Sequence, residues 1–323
     1  MTPPRDILVI KLSALGDFIQ ACAAFERVRA AHPGARITLL TTPPYGDLAR
    51  ASPYFNWVET DGRPKTVAGV LALIGRLRRG RFDLVYDLQG NDRTNLLFQT
   101  LRPAPPRWSG VAFGCALPHR NAERMTMHTL ERQAEQLRDA EIWPDAPTMP
   151  GTAPAPNIDW MLAVEPQAPV EALAETRPIA LLVPGAAAHR SAKRWPASNY
   201  AALARELGRR GFAVQLIGGP SEAGLASDIQ AQAPETTSLV GRTDFAGVAT
   251  LGARAAVAVG NDTGPVHLLA AAGAPTVALF SSDSDPALCA PRGRVAVLRE
   301  PDLNDLAVET VMAAAITQTQ NQR

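Results

Sequence analysis

A pattern of alternating structural signals between residues 257 and 280 restricts the fold more than any other part of the chain. The apolar segment that ends at Val259 is short and β-branched, as expected of a parallel strand covered on both faces. Turn residues follow, and Pro265 and Gly273 mark the start and end of a short helix before a second apolar strand. With Asp262 or Thr263 predicted as the helix cap, this is one strand–helix–strand unit of a parallel sheet.

In such a unit, the N-terminus of the helix lies next to the carboxyl end of the preceding strand. The free N–H groups of the first turn and the positive end of the helix dipole can hold a phosphate. An ordinary, well-capped unit without any ligand has the same pattern. The rest of the chain has to decide between these two interpretations.

The same alternation of strands and helices fills both halves of the chain. Residues 151–177 are rich in proline and are interpreted as a semi-rigid linker. The sequence predicts an α/β protein with two Rossmann-like domains, residues 1–150 and 178–323, whose parallel sheets face each other across a cleft. The last helix is expected to pack back toward the first domain. Strands are predicted at residues 7–10, 36–41, 56–60, 82–86, 179–183, 213–217 and 236–240. Two further strands are predicted to end at Val259 and at Phe280.

One predicted helix, residues 65–79, places Val70, Leu73, Ile74 and Leu77 on a single face. Its C-terminal end is basic. Cations favour a helix C-terminus, so this end is interpreted as a solvated face.

Charge and cysteine content exclude several classes of protein. The net charge of +1 provides no bulk attraction to nucleic acid. Residues 1–150 carry 19 basic and 15 acidic side chains, and residues 151–323 carry 13 and 16. This asymmetry is compatible with an anionic partner on the first half, and a solvated surface explains it equally well. The three cysteines are far apart and lack metal-site spacing, which indicates a reduced, cytoplasmic protein.

Hydropathy predicts neither a signal peptide nor a membrane-spanning segment. The longest apolar stretch, residues 268–280, is too short to cross a bilayer and is interrupted by Gly273 and Pro275. Membrane contact, if it occurs, is expected to be peripheral.

The loop after the first strand carries the first candidate for catalysis. It contains the single glycine Gly16 rather than the three-glycine fingerprint of a dinucleotide site, which disfavours an oxidoreductase. Asp17 stands at the entry of the following helix. It is either an N-cap or first-turn acid, or a carboxylate at the sheet edge where doubly wound folds bind their ligands.

Four motifs, each at the end of a predicted strand, resemble those of glycosyltransferase family 9, the ADP-heptose:lipopolysaccharide heptosyltransferases. Each motif is weak alone, but four in order are specific, and the resemblance covers residues 7–286. It implies a GT-B fold with the acceptor on the first domain and an ADP-sugar on the second. It also implies an inverting transfer to an anionic lipopolysaccharide core, without metal or cofactor, in the cytoplasm or peripherally at the inner membrane. The motifs are Lys11-x-Ser13-x-x-Gly16-Asp17, Asp87-x-Gln89-Gly90, Lys193-Arg194-Trp195-Pro196 and Asp262-Thr263-Gly264-x-x-His267.

The resemblance also implies roles for individual residues. Asp17 is the catalytic carboxylate that removes the proton of the acceptor hydroxyl. Lys193 meets the donor diphosphate, whose charge grows as it leaves. The implied donor contacts are Ser13, Gly16, Glu222 (on the ribose), Asp262, Thr263, Gly264 and His267, and the implied acceptor contacts are Asp87, Gln89, Gly90 and Arg93. A lone helical histidine is more often a packing residue, so His267 is assigned a donor contact and no proton transfer.

Other functions remain as alternatives. A family 9 transferase that uses another nucleotide sugar or acceptor fits the same motifs. A nucleotide-sugar epimerase on the same scaffold would need acid and base groups on both sides of the sugar, and only Asp17 is well placed. A non-catalytic binder would require no base. The Asp283-x-Asp285 pair lies beyond the last clear strand, so it is predicted to be a loop and not a Mg²⁺ site.

Overall fold

The computed structural model describes residues 3–12, 14–169, 172, 174–186 and 190–320. The chain divides into two compact units, residues 1–153 and 154–323. Each unit is built around one six-stranded parallel sheet with helices on its faces. The predicted α/β class is therefore confirmed.

The first unit has the strand order β3-β2-β1-β4-β5-β6. Neighbouring strands pair in parallel throughout. The order reverses between β1 and β4, which is where a doubly wound sheet binds its ligands at the carboxyl edge. The strands are β1 Asp6–Ile10, β2 Arg36–Leu40, β3 Trp57–Glu59, β4 Leu84–Asp87, β5 Arg107–Gly110 and β6 Leu117–Pro118.

Two groups of helices enclose this sheet. The helices α3 and α4 contribute Leu73, Leu77 and Phe98 to a buried cluster with the sheet residues Val85 and Trp108. The helices α1 and α5 pack against each other. The helices are α1 Leu15–Ala31, α2 Gly46–Ala51, α3 Val67–Gly80, α4 Asp92–Thr100 and α5 Thr129–Asp139.

The second unit repeats the arrangement with the order β12-β11-β10-β7-β8-β9, so that β10 and β7 lie at its switch point. The last helix, α12, packs on α7 and on the sheet of its own unit. The strands are β7 Ile179–Val183, β8 Ala213–Leu216, β9 Thr237–Ser238, β10 Ala255–Asn261, β11 Thr276–Phe280 and β12 Val295–Arg299. The helices are α6 Asp159–Leu162, α7 Ala197–Arg209, α8 Ala223–Gln232, α9 Phe245–Arg254, α10 Gly264–Ala271, α11 Pro286–Cys289 and α12 Val308–Gln320.

The proline-rich segment predicted as a linker packs on the second unit. Its short helix α6 contacts α9. Gln167 forms two hydrogen bonds with Asp244, the residue that caps α9: Gln167 N–H donates to the carboxylate and Asp244 N–H to the Gln167 carbonyl, both at 3.1 Å. Residues 154–169 are thus held by specific contacts where the sequence indicated a spacer.

Three strands and one helix face differ from the sequence prediction. The strands β5, β6 and β12 were missed because two are short and contain glycine or proline, and β12 is a partly exposed edge strand. Val70 was predicted to share one face of the helix with Leu73 and Leu77, but 41% of its surface is exposed while theirs is 5% exposed. Within the described part of the chain, no helix combines the length and apolar character needed to cross a bilayer.

Candidate active site

The loop after β1 is fixed by hydrogen bonds from both neighbouring strands. Lys11 N–H donates to the Leu40 carbonyl, which ends β2, and Thr42 Oγ1 donates to the Leu12 carbonyl (both 3.1 Å). From the other side, Gln89 Oε1 accepts the Leu12 N–H at 2.8 Å. The backbone that leads into α1 is therefore held in place between the ends of β2 and β4. Ser13 lies outside the described residues.

Asp17 occupies the first turn of α1, where the helix dipole favours a carboxylate. The N-cap position belongs to Ala14, so the N-cap alternative for Asp17 is wrong. The carboxylate interacts electrostatically with Lys11 and Arg132. Burial lowers the pKa of Lys11, and the charge of Asp17 partly opposes that effect. Gly16 precedes Asp17 and is buried.

The turn after β4 is organised by Asp87, whose side chain has no exposed surface. Its Oδ1 accepts the N–H groups of Gln89 (3.1 Å) and Gly90 (3.0 Å), and Gly90 adopts φ +53°. Burial raises the pKa of Asp87 to about 6, against the opposing effect of these hydrogen bonds. Its second oxygen, Oδ2, is also buried, and a side-chain interaction with Thr94 opposes the rise in pKa as well. Asp87 thus shapes the turn, and its contact with an acceptor stays a prediction.

Basic side chains surround this edge of the first sheet. Arg124 Nη1 lies 3.8 Å from the point where a Cβ of Gly90 would be. Arg132 is half-buried, and burial followed by the charge of Arg124 lowers its pKa. Arg63 interacts electrostatically with Lys11, and Arg93 is exposed in the first turn of α4. Sequence reasoning identified Arg93 but missed Arg63, Arg124 and Arg132, although the basic excess of the first half was their signal.

In the second unit, Asn261 holds both ends of the loop between β7 and α7 at the carboxyl edge. Its side chain is fully buried at the end of β10. Its Nδ2 donates to the carbonyls of Pro184 (2.8 Å) and Gly185 (3.2 Å), and its Oδ1 accepts from Trp195 N–H (3.1 Å) and the Tyr200 hydroxyl (3.0 Å). The sequence indicated only a turn residue here. Its hydrogen bonds fix the beginning of the loop after β7, at Pro184 and Gly185, and the end of the same loop, at Trp195 next to Lys193.

Lys193, Asp262 and His267 form a buried polar cluster next to Asn261. Lys193 Nζ donates to Asp262 Oδ2 at 2.5 Å, and His267 Nε2 lies 3.5 Å from Asp262 Oδ1. The three side chains are between 7% and 11% exposed. Burial raises the pKa of Asp262, but hydrogen bonds from His267 and Lys193 outweigh it and hold that pKa well below its usual range. Lys193 thus belongs to an ion pair at the predicted diphosphate site.

The helix α10 begins here without a side-chain cap on its first turn. Thr263 is the N-cap residue, and Gly264 and Pro265 follow it. The predicted side-chain cap is wrong, because the Thr263 hydroxyl donates to the Asn261 carbonyl (3.1 Å) and the Asp262 carboxylate contacts Lys193 and His267. The first N–H groups of α10 therefore have no side-chain acceptor from either residue.

Glu222 lies over the neighbouring loops of the same edge. Its Oε2 accepts the Gly219 N–H at 2.5 Å. A Cβ on Gly185 would lie 2.3 Å from Glu222 Oε1, and one on Gly218 would lie 2.8 Å from Oε2. Only residues without a side chain let Glu222 approach the ends of β7 and β8 this closely. Lys193, Glu222 and the start of α10 are thus linked through Gly185 and Asn261 at one sheet edge.

Comparison with known protein families shows which family this chain belongs to. The model of glycosyltransferase family 9 (heptosyltransferase) matches residues 70–301, well over half of the chain. The chain belongs to this family. The glycosyltransferase is 26% identical, over 298 residues, to lipooligosaccharide heptosyltransferase 2 of Haemophilus influenzae, with 86% of this chain and 84% of the relative covered.

Solved structures share its fold. The structure of Escherichia coli ADP-heptose LPS heptosyltransferase II matches the glycosyltransferase with a TM-score of 0.78 and 23% identity, covering 98% of this chain and 99% of the other. The structure of E. coli heptosyltransferase WaaC with ADP matches with a TM-score of 0.73 and 21% identity, covering 97% and 99%. Among the described residues of the glycosyltransferase, no group of three His, Cys, Asp or Glu side chains has the arrangement of a metal site.

Proposed function

We propose that this glycosyltransferase transfers a heptose from ADP-heptose to an anionic lipopolysaccharide core. The observation that carries the proposal is the convergence of Lys193, Glu222 and the N-terminus of α10 at one sheet edge. A cation and free N–H groups suit a diphosphate, and a carboxylate suits the two hydroxyls of a ribose. Family membership and the heptosyltransferases it resembles support the choice of sugar.

The proposed chemistry is a single displacement with inversion. The acceptor oxygen attacks the anomeric carbon while Asp17 takes the hydroxyl proton, and the bond between that carbon and the diphosphate oxygen breaks. The ADP leaves with an additional negative charge, which Lys193 and the N–H groups near Thr263 and Gly264 stabilise. Because these groups supply the positive charge, the transfer is proposed to need no metal ion.

The proposed acceptor site is the carboxyl edge of the first sheet. Lys11, Arg63, Arg93, Arg124 and Arg132 supply positive charge around Asp17 or in the loops beside it. Guanidinium groups bind phosphate and carboxylate in two-point contacts, which suits the inner core of a lipopolysaccharide. Gln89 and Gly90 shape the turn next to this site. A soluble nucleotide sugar and a lipid-linked acceptor are consistent with a cytoplasmic enzyme that works at the inner membrane.

Calorimetry with ADP, UDP, GDP and CDP tests the donor first, and mass spectrometry of the product then tests the transfer. We expect ADP to bind most tightly and ADP-heptose to be consumed only when an acceptor is present. A preference for UDP would contradict the donor assignment. Isomerisation of the nucleotide sugar without an acceptor would instead indicate the epimerase alternative.

A further inference from the structure

The outward side of α3 exposes apolar residues that its own unit does not cover. Val67 is 78% exposed and Leu71 is 63% exposed, whereas Leu73 and Leu77 are 5% exposed. Val67, Leu71 and the half-buried Ile74 follow the i, i+4, i+7 spacing of one helix stripe. The helix therefore has one apolar side in the core and a second apolar stripe in solvent.

The neighbouring helix α4 extends this surface. Both helices cover the same buried cluster, and Arg78 Nη2 donates to the Thr100 carbonyl at 2.6 Å, which joins their C-terminal ends. Leu96 lies on the side of α4 opposite Phe98 and is 66% exposed. We call Val67, Leu71 and Leu96 with the cations around them the α3–α4 face. Val67 and Leu71 lie in the first half of α3, which begins at the carboxyl edge of the sheet, the edge that carries Asp17, and Leu96 lies in the middle of α4.

The charge along α3 and its flanking residues has one sign, whereas α4 carries the exposed Asp92 in its first turn. Residues 62–82 contain six basic residues and no acidic residue. Arg76 is paired with Asp61 and Glu59. Lys65 precedes α3, and Arg79 and Arg81 lie at its end, so exposed cations stand on both sides of the apolar stripe.

We propose that the α3–α4 face docks on an anionic phospholipid bilayer. A surface helix with exposed apolar residues and flanking cations is the arrangement of interfacial membrane helices. Val67, Leu71 and Leu96 insert between the headgroups, while Lys65, Arg79 and Arg81 pair with lipid phosphates. A merely solvated face would account for the cations but not for three large exposed apolar side chains beside them.

Docking on this face keeps the Asp17 edge close to the membrane surface. That consequence rests on the proposed function, in which the acceptor is lipid-linked. Vesicle binding itself requires neither donor nor acceptor. A negative result for bilayer docking therefore leaves the proposed transfer untouched, and the reverse also holds.

The test is flotation of the full chain with vesicles of phosphatidylglycerol and phosphatidylethanolamine, compared with phosphatidylcholine vesicles. One variant combines Val67→Ser with Leu71→Ser. A second combines Arg79→Gln with Arg81→Asn, since Arg81 has φ +46°, a conformation that asparagine tolerates. The matched control combines Leu162→Ser with Arg242→Gln on the second unit, both exposed positions.

We expect the unmodified chain to float with anionic vesicles, to stay in solution with neutral ones and to dissociate as salt is added. Each α3 variant is expected to lower the partition coefficient about tenfold or more, while the control keeps it. All variants should keep the melting temperature within a few degrees and the turnover on a delipidated acceptor. No binding to anionic vesicles at low ionic strength, or unchanged binding by both α3 variants, would overturn the proposal.

Discussion

At the scale of single residues, the buried carboxyl groups of the two units have pKa values that are shifted in opposite directions. Asp87 has no cation within hydrogen-bonding distance among its described contacts, and burial raises its pKa to about 6. Asp262 contacts Lys193 and His267, and its pKa is held low. The first carboxyl group therefore favours a proton and the second favours its charge. The free energy of unfolding should therefore depend on the pKa of Asp87 and on the ion pair of Asp262.

Asp87 is expected to make the fold less stable as pH rises. Its pKa is about 6 in the folded chain against a usual 3.8, so the folded state binds more protons between these values. The stabilising effect is complete below about pH 4 and is lost as pH rises through 6, a change of about 3 kcal/mol at 1.36 kcal/mol per pKa unit. Asp87→Asn stays neutral and keeps an oxygen for the N–H groups of Gln89 and Gly90. Urea unfolding of both proteins from pH 4 to 7 measures the difference.

The free energy of unfolding of the unmodified chain should fall relative to that of Asp87→Asn as pH rises from about 4 to about 7, most steeply between the two pKa values. Other titrating groups cancel in the comparison. A difference that does not change with pH would show that Asp87 is not protonated in the fold.

Replacing Lys193 is expected to lower both the stability of the fold and the affinity for ADP, and the two losses can be separated. Lys193→Met leaves the buried Asp262 carboxylate without its closest cation, which costs roughly 3 kcal/mol of stability. It also removes the charge that meets the donor diphosphate. In Lys193→Met with Asp262→Asn, the buried charge is gone as well, so stability should return to within about 1 kcal/mol of the original while ADP affinity stays low.

Melting curves and ADP calorimetry on the single and double variants separate the two effects. Recovery of ADP binding in the double variant would contradict a direct contact between Lys193 and the diphosphate. Loss of stability in the double variant equal to that in the single one would contradict the ion-pair account.

At the scale of elements, the loops after β7 and β8 work as one unit because glycine lets Glu222 lie across them. Gly185→Ala should push the Glu222 carboxylate away, since the new Cβ would lie 2.3 Å from its Oε1. We expect ADP affinity to fall about tenfold, the loss of roughly one charge-assisted hydrogen bond. Gly224→Ala is the matched control, because a Cβ there meets nothing within 4 Å.

Calorimetry with ADP and a melting curve on both glycine variants check this expectation. Gly224→Ala should bind ADP normally. Equal affinities of Gly185→Ala and the unmodified chain would mean that Glu222 does not contact the donor.

The sequence predicted elements better than it predicted the contacts between them. The alternation of strands and helices places Lys11, Asp87 and Asp262 at strand ends and Lys193 in the loop after β7, because turn residues and caps are local signals. The hydrogen bonds of Asn261 join residues more than 60 positions apart, and no local pattern encodes them. The same limit hid Arg124 and Arg132, which lie far from β1 in sequence.

At the scale of the whole molecule, charge is divided in the way that the proposed transfer needs. The basic excess belongs to the first half, where an anionic acceptor is proposed, and the second half has a slight acidic excess. In the second half, the positive charge needed at the diphosphate is concentrated in Lys193 and the start of α10. If these groups bind the diphosphate as proposed, they supply the positive charge that a metal ion would otherwise provide.

Turnover should therefore be insensitive to chelators. We expect the initial rate of transfer with an excess of EDTA to equal the rate with added Mg²⁺. A steady-state assay of ADP release in both buffers checks this. Activity abolished by EDTA and restored by Mg²⁺ would contradict the proposed role of Lys193 and α10.

The central claim is that Asp17 removes the acceptor proton, and single-turnover transfer by Asp17→Asn tests it most directly. Asparagine keeps the size of the side chain and tolerates the first turn of α1, so melting temperature and ADP affinity should stay close to those of the unmodified chain. Its amide cannot accept the proton, and the account predicts a chemical rate lower by roughly 10²–10⁴-fold. An Asp17→Asn protein that transfers heptose at the normal rate, with only a slight loss of stability, would show that Asp17 is a first-turn acid and that the base lies elsewhere.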